Sequence, residues 1–175
     1  LSQHGWVKSS DSINIRYSVE KIIKGDYDIF HPTYFSTYFL KYIRKPFVLT
    51  VHDLTAENYP QYFSQFDCQK VGRKHSVPLA NHIIVPSLNT KIDVMQKWNI
   101  SEEQITVIYW GGVPVNNKEY PDRIGRPYIL YVGLREGYKN FRFFLKAALS
   151  FLQRNKDINI VCTGSNFTNS EMRLF

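Results

Sequence analysis

The chain has 175 residues, 43% of them hydrophobic, and a mean hydropathy of −0.31. These values are typical of soluble globular proteins, and no apolar run approaches the ~20 residues that a membrane-spanning helix needs. The formal net charge of +7 is uneven: residues 1–120 hold 13 Lys and Arg against 11 Asp and Glu, whereas residues 121–175 hold 9 against 4. This asymmetry indicates an anionic ligand or surface for the C-terminal part, although a solvated basic face would give the same counts.

A helix and an aromatic segment dominate the first 45 residues. Ser12 can cap a helix that runs to Lys24, because isoleucine and valine recur on one face and Gly25 can end it. Tyr34–Tyr42 then holds five aromatic residues, and two cations follow. Such a segment can stack on sugars or bases, or lie at a lipid headgroup layer, and the same pattern arises when alternate rings fill a core.

Six short apolar runs predict β-strands, at 28–32, 47–51, 82–85, 105–109, 128–132 and 158–162. Helical segments alternate with them, which implies right-handed crossovers, a parallel sheet and an α/β fold. Open parallel sheets bind ligands outside the carboxyl ends of their strands. Those ends carry the candidate residues His31, His52, Asp53, Ser87, Gly111, Gly133 and Gly164.

The stretch 128–152 predicts an anion-binding corner. Tyr128–Val132 predicts a buried strand, Gly133 a turn, and Phe141–Leu152 a helix with one apolar face. Arg135 and Lys139 lie in the loop before this helix, where free N–H groups and the helix dipole favour negative charge. An ordinary strand–helix corner with solvated cations is the alternative.

Residues 113–127 hold three prolines and show no periodicity, which predicts a linker between units at 1–112 and 128–175. The first unit has about four predicted strands but no glycine-rich first turn. The second has two strands and one helix, too few to bury its own faces. We therefore expect the chain to be a fragment of a longer protein, incomplete at both ends.

Three blocks in this order resemble glycosyltransferase family 4, the group 1 transferases of the GT-B fold. They are KPFVLTVHDL at 45–54, IIVPS at 83–87 through to ITVIY at 105–109, and YILYVG at 128–133 with Lys139 and Asn140. The resemblance implies two Rossmann-like domains that face each other across a cleft. The chain would then hold most of the N-terminal, acceptor-side domain and the first βαβ unit of the domain that binds a nucleotide-diphosphate sugar.

The resemblance also implies roles for individual residues. His52 matches the family's cleft histidine near the transferred sugar, and Asp53 beside it is a second catalytic candidate. The implied donor diphosphate ligands are Gly133, Arg135, Lys139 and Asn140, and the implied cleft-lining residues are His31, Ser87 and Gly111, with helix capping as the alternative role of Ser87. Fixed cations and helix N–H groups can stabilise a departing diphosphate, so neither a metal nor a cofactor is expected.

The chain departs from the family pattern in several places. Tyr138 stands where the family often has arginine, and Trp110 where asparagine often precedes the glycine. The family's glycine-rich first loop is absent. Its two glutamates, seven residues apart and in contact with the donor sugar, have no counterpart here, since Glu171 lies in a different context. The chain by itself is therefore expected to be inactive.

Together these patterns predict a fragment of a retaining glycosyltransferase that moves a sugar from a nucleotide-diphosphate sugar to a glycan or lipid-linked acceptor, as in polysaccharide or lipopolysaccharide biosynthesis. We expect a cytoplasmic protein, because Cys68 and Cys162 form no disulfide framework, with peripheral contact at the inner face of the membrane through residues 34–45. No nucleic-acid-binding motif is present. The alternative is a non-catalytic α/β module that binds phosphorylated or anionic ligands through its basic C-terminal part.

Overall fold

The computed structural model describes residues 10–32, 34–112 and 124–173. The chain divides into two compact units, an N-terminal unit, Leu1–Gly112, and a C-terminal unit, Val113–Phe175. The predicted linker at 113–127 lies mostly outside the described residues and stays a prediction. Among the described residues, no helix is both long and apolar enough to cross a bilayer.

The N-terminal unit is built on a three-stranded parallel sheet of order β1-β2-β3. Leu49 of β1 lies opposite Ile83 of β2, which lies opposite Ile105 of β3, and a parallel bridge from Phe30 to Phe47 extends the sheet beyond β1. The elements in chain order are α1 (Ser10–Lys24), β1 (Val48–Thr50), α2 (Thr55–Asn58), α3 (Cys68–Ser76), β2 (His82–Val85), α4 (Leu88–Trp98) and β3 (Ile105–Val107). Short 3₁₀ turns lie at Pro60–Tyr62, Val77–Leu79 and Glu102–Gln104.

The core of this unit lies between the sheet and its helices. Alternate strand residues are fully buried, together with apolar side chains of the helices and of the aromatic segment; the largest are Phe39, Leu49, Leu54, Ile83, Val51, Val77, Val85 and Val94. Each such side chain stabilises the fold by roughly 1.5–3 kcal/mol relative to exposure. Phe35 and Phe39 are core residues whereas Tyr34 is exposed, so the segment 34–42 is partly core and partly surface.

Several predicted elements of this unit differ from the structure. Helix α1 begins at Ser10, before the predicted cap, and Ile22 is buried whereas Ile15 and Ile23 are exposed. The predicted strand at 28–32 is reduced to the single bridge at Phe30. From its sequence the stretch 67–80 is also expected to be helical, but α3 ends at Ser76, because Pro78 has no N–H to donate and the chain continues as a 3₁₀ turn.

The C-terminal unit has a parallel pair of strands, β4 (Tyr128–Tyr131) and β5 (Asn159–Cys162), with α5 (Phe141–Leu152) and the short α6 (Asn169–Met172). The predicted apolar face of α5 is confirmed, because Phe141, Leu145 and Ala148 are buried. The Tyr131 ring packs against Phe141 at 4.9 Å between ring centroids.

The prediction that β4 is a buried strand is wrong for the described residues. Tyr128 is 45% exposed and Leu130 is 51% exposed. Alternate side chains of a strand point to opposite faces, and α5 packs against the Tyr131 side, so the opposite face stays open to solvent. The parallel sheets with helices between their strands nonetheless confirm the predicted α/β fold class.

Candidate active site

The carboxyl edge of the N-terminal sheet gathers the predicted residues from different parts of the chain. Because β1, β2 and β3 are parallel, the residues that follow them emerge at the same edge. His52 and Asp53 follow β1 through the buried Val51, Ser87 follows β2, and Trp110 follows β3. The edge therefore combines an imidazole, a carboxylate, a hydroxyl and an indole.

Two aromatic rings hold the imidazole of His52. The Trp110 ring stacks on it, with 5.2 Å between ring centroids and 26° between ring planes. The Phe35 ring meets it edge-on, at 6.5 Å and 73°. His52 itself stays exposed, and Trp110 is 68% exposed. The imidazole is thus oriented by its neighbours yet accessible from solvent.

The other predicted residues at this edge make local hydrogen bonds. The Asp53 carboxylate accepts from the backbone N–H of Thr55 at 2.8 Å, which supports the start of α2. His31 Nε2 lies 2.9 Å from the Thr50 hydroxyl. The Ser87 hydroxyl accepts from the N–H of Thr90 at 3.1 Å and so caps α4, its alternative role. A Cβ added at Gly111 would meet no atom within 4 Å.

In the C-terminal unit, the loop between β4 and α5 contains the predicted diphosphate ligands. Gly133 has φ +140°, a conformation that side chains disfavour, and Asn140 has φ +52° immediately before α5. Lys139 is exposed, with its Nζ atom 5.1 Å from the centroid of the Tyr138 ring. In the sequence Lys139 precedes the start of α5 by two residues, and the start of a helix favours an anion.

Arg135 has a different environment from Lys139. Its Nε donates to Glu171 Oε1 at 2.7 Å, Nη1 donates to the carbonyl of Thr163 at 3.3 Å, and Nη2 donates to the carbonyls of Ser165 and Asn166 at 2.8 and 2.9 Å. Four of its five N–H groups are thereby used inside the protein. Arg135 ties its loop to the segment that follows β5, so a diphosphate would have to share this guanidinium.

The Arg135–Glu171 pair also shapes the local electrostatics. Hydrogen bonds from Arg135 and from the backbone N–H of Thr168 lower the pKa of Glu171 to about 2. Glu171 forms a capping box with Thr168 at the start of α6. Burial raises the pKa of the nearby Cys162 thiol, which keeps it protonated at neutral pH. Glu171 thus serves as the partner of Arg135 and as a helix cap.

Comparison with known proteins decides the family. The model of glycosyltransferase family 4 matches residues 8–112, more than half of the chain. The chain belongs to glycosyltransferase family 4. The O-antigen chain mannosyltransferase RfbU of Salmonella typhimurium is 30% identical over 99 residues, which are 56% of this chain and 27% of that enzyme. The chain therefore spans about a quarter of the length of this relative.

Two crystal structures of TarM share the fold. One, an S. aureus variant in complex with fondaparinux, α-GlcNAc-glycerol and UDP, matches 92% of this chain and 34% of its own with a TM-score of 0.58. The other matches 91% of this chain and 33% of its own with a TM-score of 0.55. Sequence identity is 13% in both, so the likeness is one of fold, and it confirms the GT-B type predicted from the sequence.

The family 4 match covers one of the two predicted sites. The residues inside it are His31, His52, Asp53, Ser87 and Gly111; those outside it are Gly133, Arg135, Lys139 and Asn140. Their roles in binding and catalysis stay predictions. Sequence patterns single out Trp110 only as a departure from the family, and they do not separate Phe35 from its aromatic neighbours. The sequence feature that could have identified Trp110 as a site residue is its position directly after a predicted strand.

Within residues 10–32, 34–112 and 124–173, no group of three or more histidine, cysteine or carboxylate side chains could hold a metal ion.

Proposed function

We propose that the protein is a retaining glycosyltransferase that transfers a sugar from a nucleotide-diphosphate sugar to a glycan or lipid-linked acceptor. The observation that carries the proposal is the placement of His52, in the part of the chain that matches family 4, at the carboxyl edge of a parallel sheet. The mannosyltransferase relative acts on an O-antigen chain, and one TarM structure holds UDP and a sugar compound, which supports this donor and acceptor class.

In this proposal His52 contacts the sugar that is being transferred. Its ring is oriented by Trp110 and Phe35, so little rotational freedom is lost when a sugar hydroxyl binds it. A contact that strengthens as positive charge develops on the sugar ring accelerates the transfer without tightening substrate binding. Asp53 lies next to this position and is the second catalytic candidate.

Lys139 and the start of α5 would bind the donor diphosphate. The leaving group gains negative charge as the sugar departs, and an exposed ammonium group beside free helix N–H groups can stabilise that charge. The positive φ of Gly133 lets the backbone approach a phosphate closely, and Asn140 begins the helix. Arg135 holds the loop in place through Glu171 and three backbone carbonyls, and it is the second cation for the same ligand.

The substitution His52→Ala tests the proposal in protein expressed from the complete gene. We expect kcat to fall on the order of 10²-fold while the affinity for the nucleotide-diphosphate sugar changes little, because the lost contact belongs to the transition state. His75→Ala, which removes an exposed histidine of α3, is the matched control. A normal turnover number for His52→Ala would remove His52 from the catalytic centre.

Peripheral contact with the cytoplasmic face of the membrane is part of the same proposal. Arg44 is exposed and lines, together with Lys45, a groove of about 440 Å³ that Leu40, Ile43 and Leu79 also line. Cations next to apolar side chains favour an anionic lipid surface. Flotation with vesicles that contain phosphatidylglycerol should recover the protein, whereas vesicles of phosphatidylcholine alone should not; equal recovery would contradict an electrostatic contact.

A further inference from the structure

Contacts between side chains connect the exposed His52 ring to buried residues in the interior of the N-terminal unit. The Phe35 ring, which meets the imidazole edge-on, is itself buried. The guanidinium of Arg73 also lies over the Phe35 ring, with 4.7 Å from Cζ to the ring centroid. The position of Phe35, and with it one wall of the His52 site, thus depends on Arg73.

Arg73 is held by a buried carboxylate. Its Nε donates to Glu57 Oε1 at 2.8 Å and its Nη2 donates to Glu57 Oε2 at 2.9 Å, a two-pronged pair in which the side chains are 4% and 2% exposed. Glu57 belongs to α2, which begins two residues after Asp53, and Asp53 bonds to its first residue. The pair therefore connects α3 to the segment that carries His52.

The backbone of Phe35 is fitted against the same helix. A Cβ added at Gly72 would lie 1.7 Å from the carbonyl oxygen of Phe35, so only glycine permits this approach. The Ser76 hydroxyl donates to the Gly72 carbonyl at 2.8 Å. Phe35 is consequently confined by α3 from the backbone side and by Arg73 from the ring side.

Stability alone does not explain such a pair. Desolvation of two buried charges offsets much of their attraction, and apolar replacements of similar volume are often as stable. The pair, however, contacts two elements next to His52. Arg73 lies over the Phe35 ring, and Glu57 belongs to α2. We propose that Arg73 and Glu57 are positioning residues that fix the orientation of the His52 imidazole against Trp110. The catalytic use of that orientation rests on the function proposed above.

Nuclear magnetic resonance of the histidine ring protons in the full chain tests this directly at one fixed pH. His52→Ala assigns the His52 signal among the five histidines. Trp110→Leu then shows how far that signal moves when the ring current of the stacked indole is lost. These two variants calibrate the measurement without any assay of activity.

The test variant is Glu57→Leu combined with Arg73→Met, which removes both buried charges together and leaves neither unpaired. The matched control is Lys91→Met combined with Glu102→Leu, which removes an ion pair of 2.9 Å between α4 and the 3₁₀ turn Glu102–Gln104. We expect the His52 signal to move toward its position in Trp110→Leu in the test variant and to stay in place in the control. An unmoved His52 signal in the folded test variant would overturn the proposal.

Two further variants keep the proposal falsifiable if the test variant does not fold. Arg73→Lys retains the charge but not the two-pronged geometry, and Phe35→Leu retains the ion pair but removes the ring between it and His52. Both should move the His52 signal in the same direction, and no movement in either would refute the proposal.

A transfer assay of the same variants separates this inference from the proposed function. If both hold, the test variant lowers kcat on the order of 10²-fold with a nearly unchanged KM for the donor. A moved His52 signal with normal turnover would confirm the positioning role and count against His52 as a catalytic group.

Discussion

Two cations that lie four positions apart in one loop, Arg135 and Lys139, have different environments. Arg135 is surrounded by Glu171 and three backbone carbonyls, whereas Lys139 is exposed beside the start of α5. We therefore expect Lys139 to contribute more than Arg135 to the electrostatic attraction of the proposed donor diphosphate. Counting charges along the sequence cannot separate the two cases, because pairing depends on a carboxylate 36 residues away.

Lys139→Ala should weaken the binding of a nucleoside diphosphate on the order of 10- to 100-fold, since hydrogen bonds to charged groups are the stronger ones. Lys156→Ala removes the same charge from another exposed position of the C-terminal unit and serves as the control. Titration calorimetry with UDP and GDP measures both. Equal affinities of the two variants would exclude Lys139 from the site.

The Arg135–Glu171 pair should make stability depend on pH. The pKa of Glu171 is about 2 in the folded chain and near its ordinary value of 4.5 when unfolded. Because the folded pKa is the lower one, the stabilisation is fully present above about pH 4.5 and is lost as the pH falls toward 2. Urea unfolding between pH 2 and 6 should show this loss in the parent chain.

Glu171→Gln should remove that part of the pH dependence, because glutamine does not titrate. Glu136→Gln, at an exposed position of the same loop as Arg135, should leave it unchanged. An identical pH dependence in Glu171→Gln and in the parent chain would show that the pair contributes no linked stability.

At the scale of elements, helix α3 acts as the support of the His52 edge. It is capped by Asp67, whose carboxylate accepts from the N–H groups of Gln69 and Lys70. Its glycine admits the backbone of Phe35, and its arginine supports the Phe35 ring. Gly72, which weakens a helix prediction made from sequence alone, is thus the residue that this helix needs for packing.

Gly72→Ala should destabilise the chain by about 2–3 kcal/mol or more, because the added methyl group would overlap backbone that cannot move aside like a side chain. Gly111→Ala is the matched control, since its Cβ would meet no atom within 4 Å. Chemical denaturation followed by circular dichroism gives both free energies of unfolding. Similar values for the two variants would contradict the close approach of α3 and Phe35.

For the whole molecule, the order of helices and strands can be predicted from the sequence, whereas the burial of each element is harder to predict. Alternating short apolar runs and helical periods are local signals, and they predict the α/β fold and the residues at the strand ends. Whether β4 is covered on one face or both depends on elements distant in the sequence, so its burial was predicted wrongly. His52 and Trp110, whose rings stack, are 58 positions apart in the sequence. They follow β1 and β3, and β2 lies between these two strands in the sheet.

The pairing of charged side chains is likewise hard to predict from the sequence. The net charge of +7 indicates an anionic partner, but it does not show which cations are already neutralised. Buried Arg73 and Arg135 are both paired with carboxylates. Each pair is neutral as a whole, so the net charge of +7 is carried by other side chains, and exposed cations such as Lys139 are among them.

Sugar transfer by protein expressed from the complete gene distinguishes a transferase from a binding module. The assay uses a panel of radiolabelled uridine and guanosine diphosphate sugars with lipid-linked glycan acceptors. We predict a labelled glycan whose new bond keeps the anomeric configuration of the donor, with formation slowed on the order of 10²-fold by His52→Ala. Binding of nucleoside diphosphates without transfer to any acceptor, and with no effect of His52→Ala, would instead indicate a non-catalytic module that binds anionic ligands.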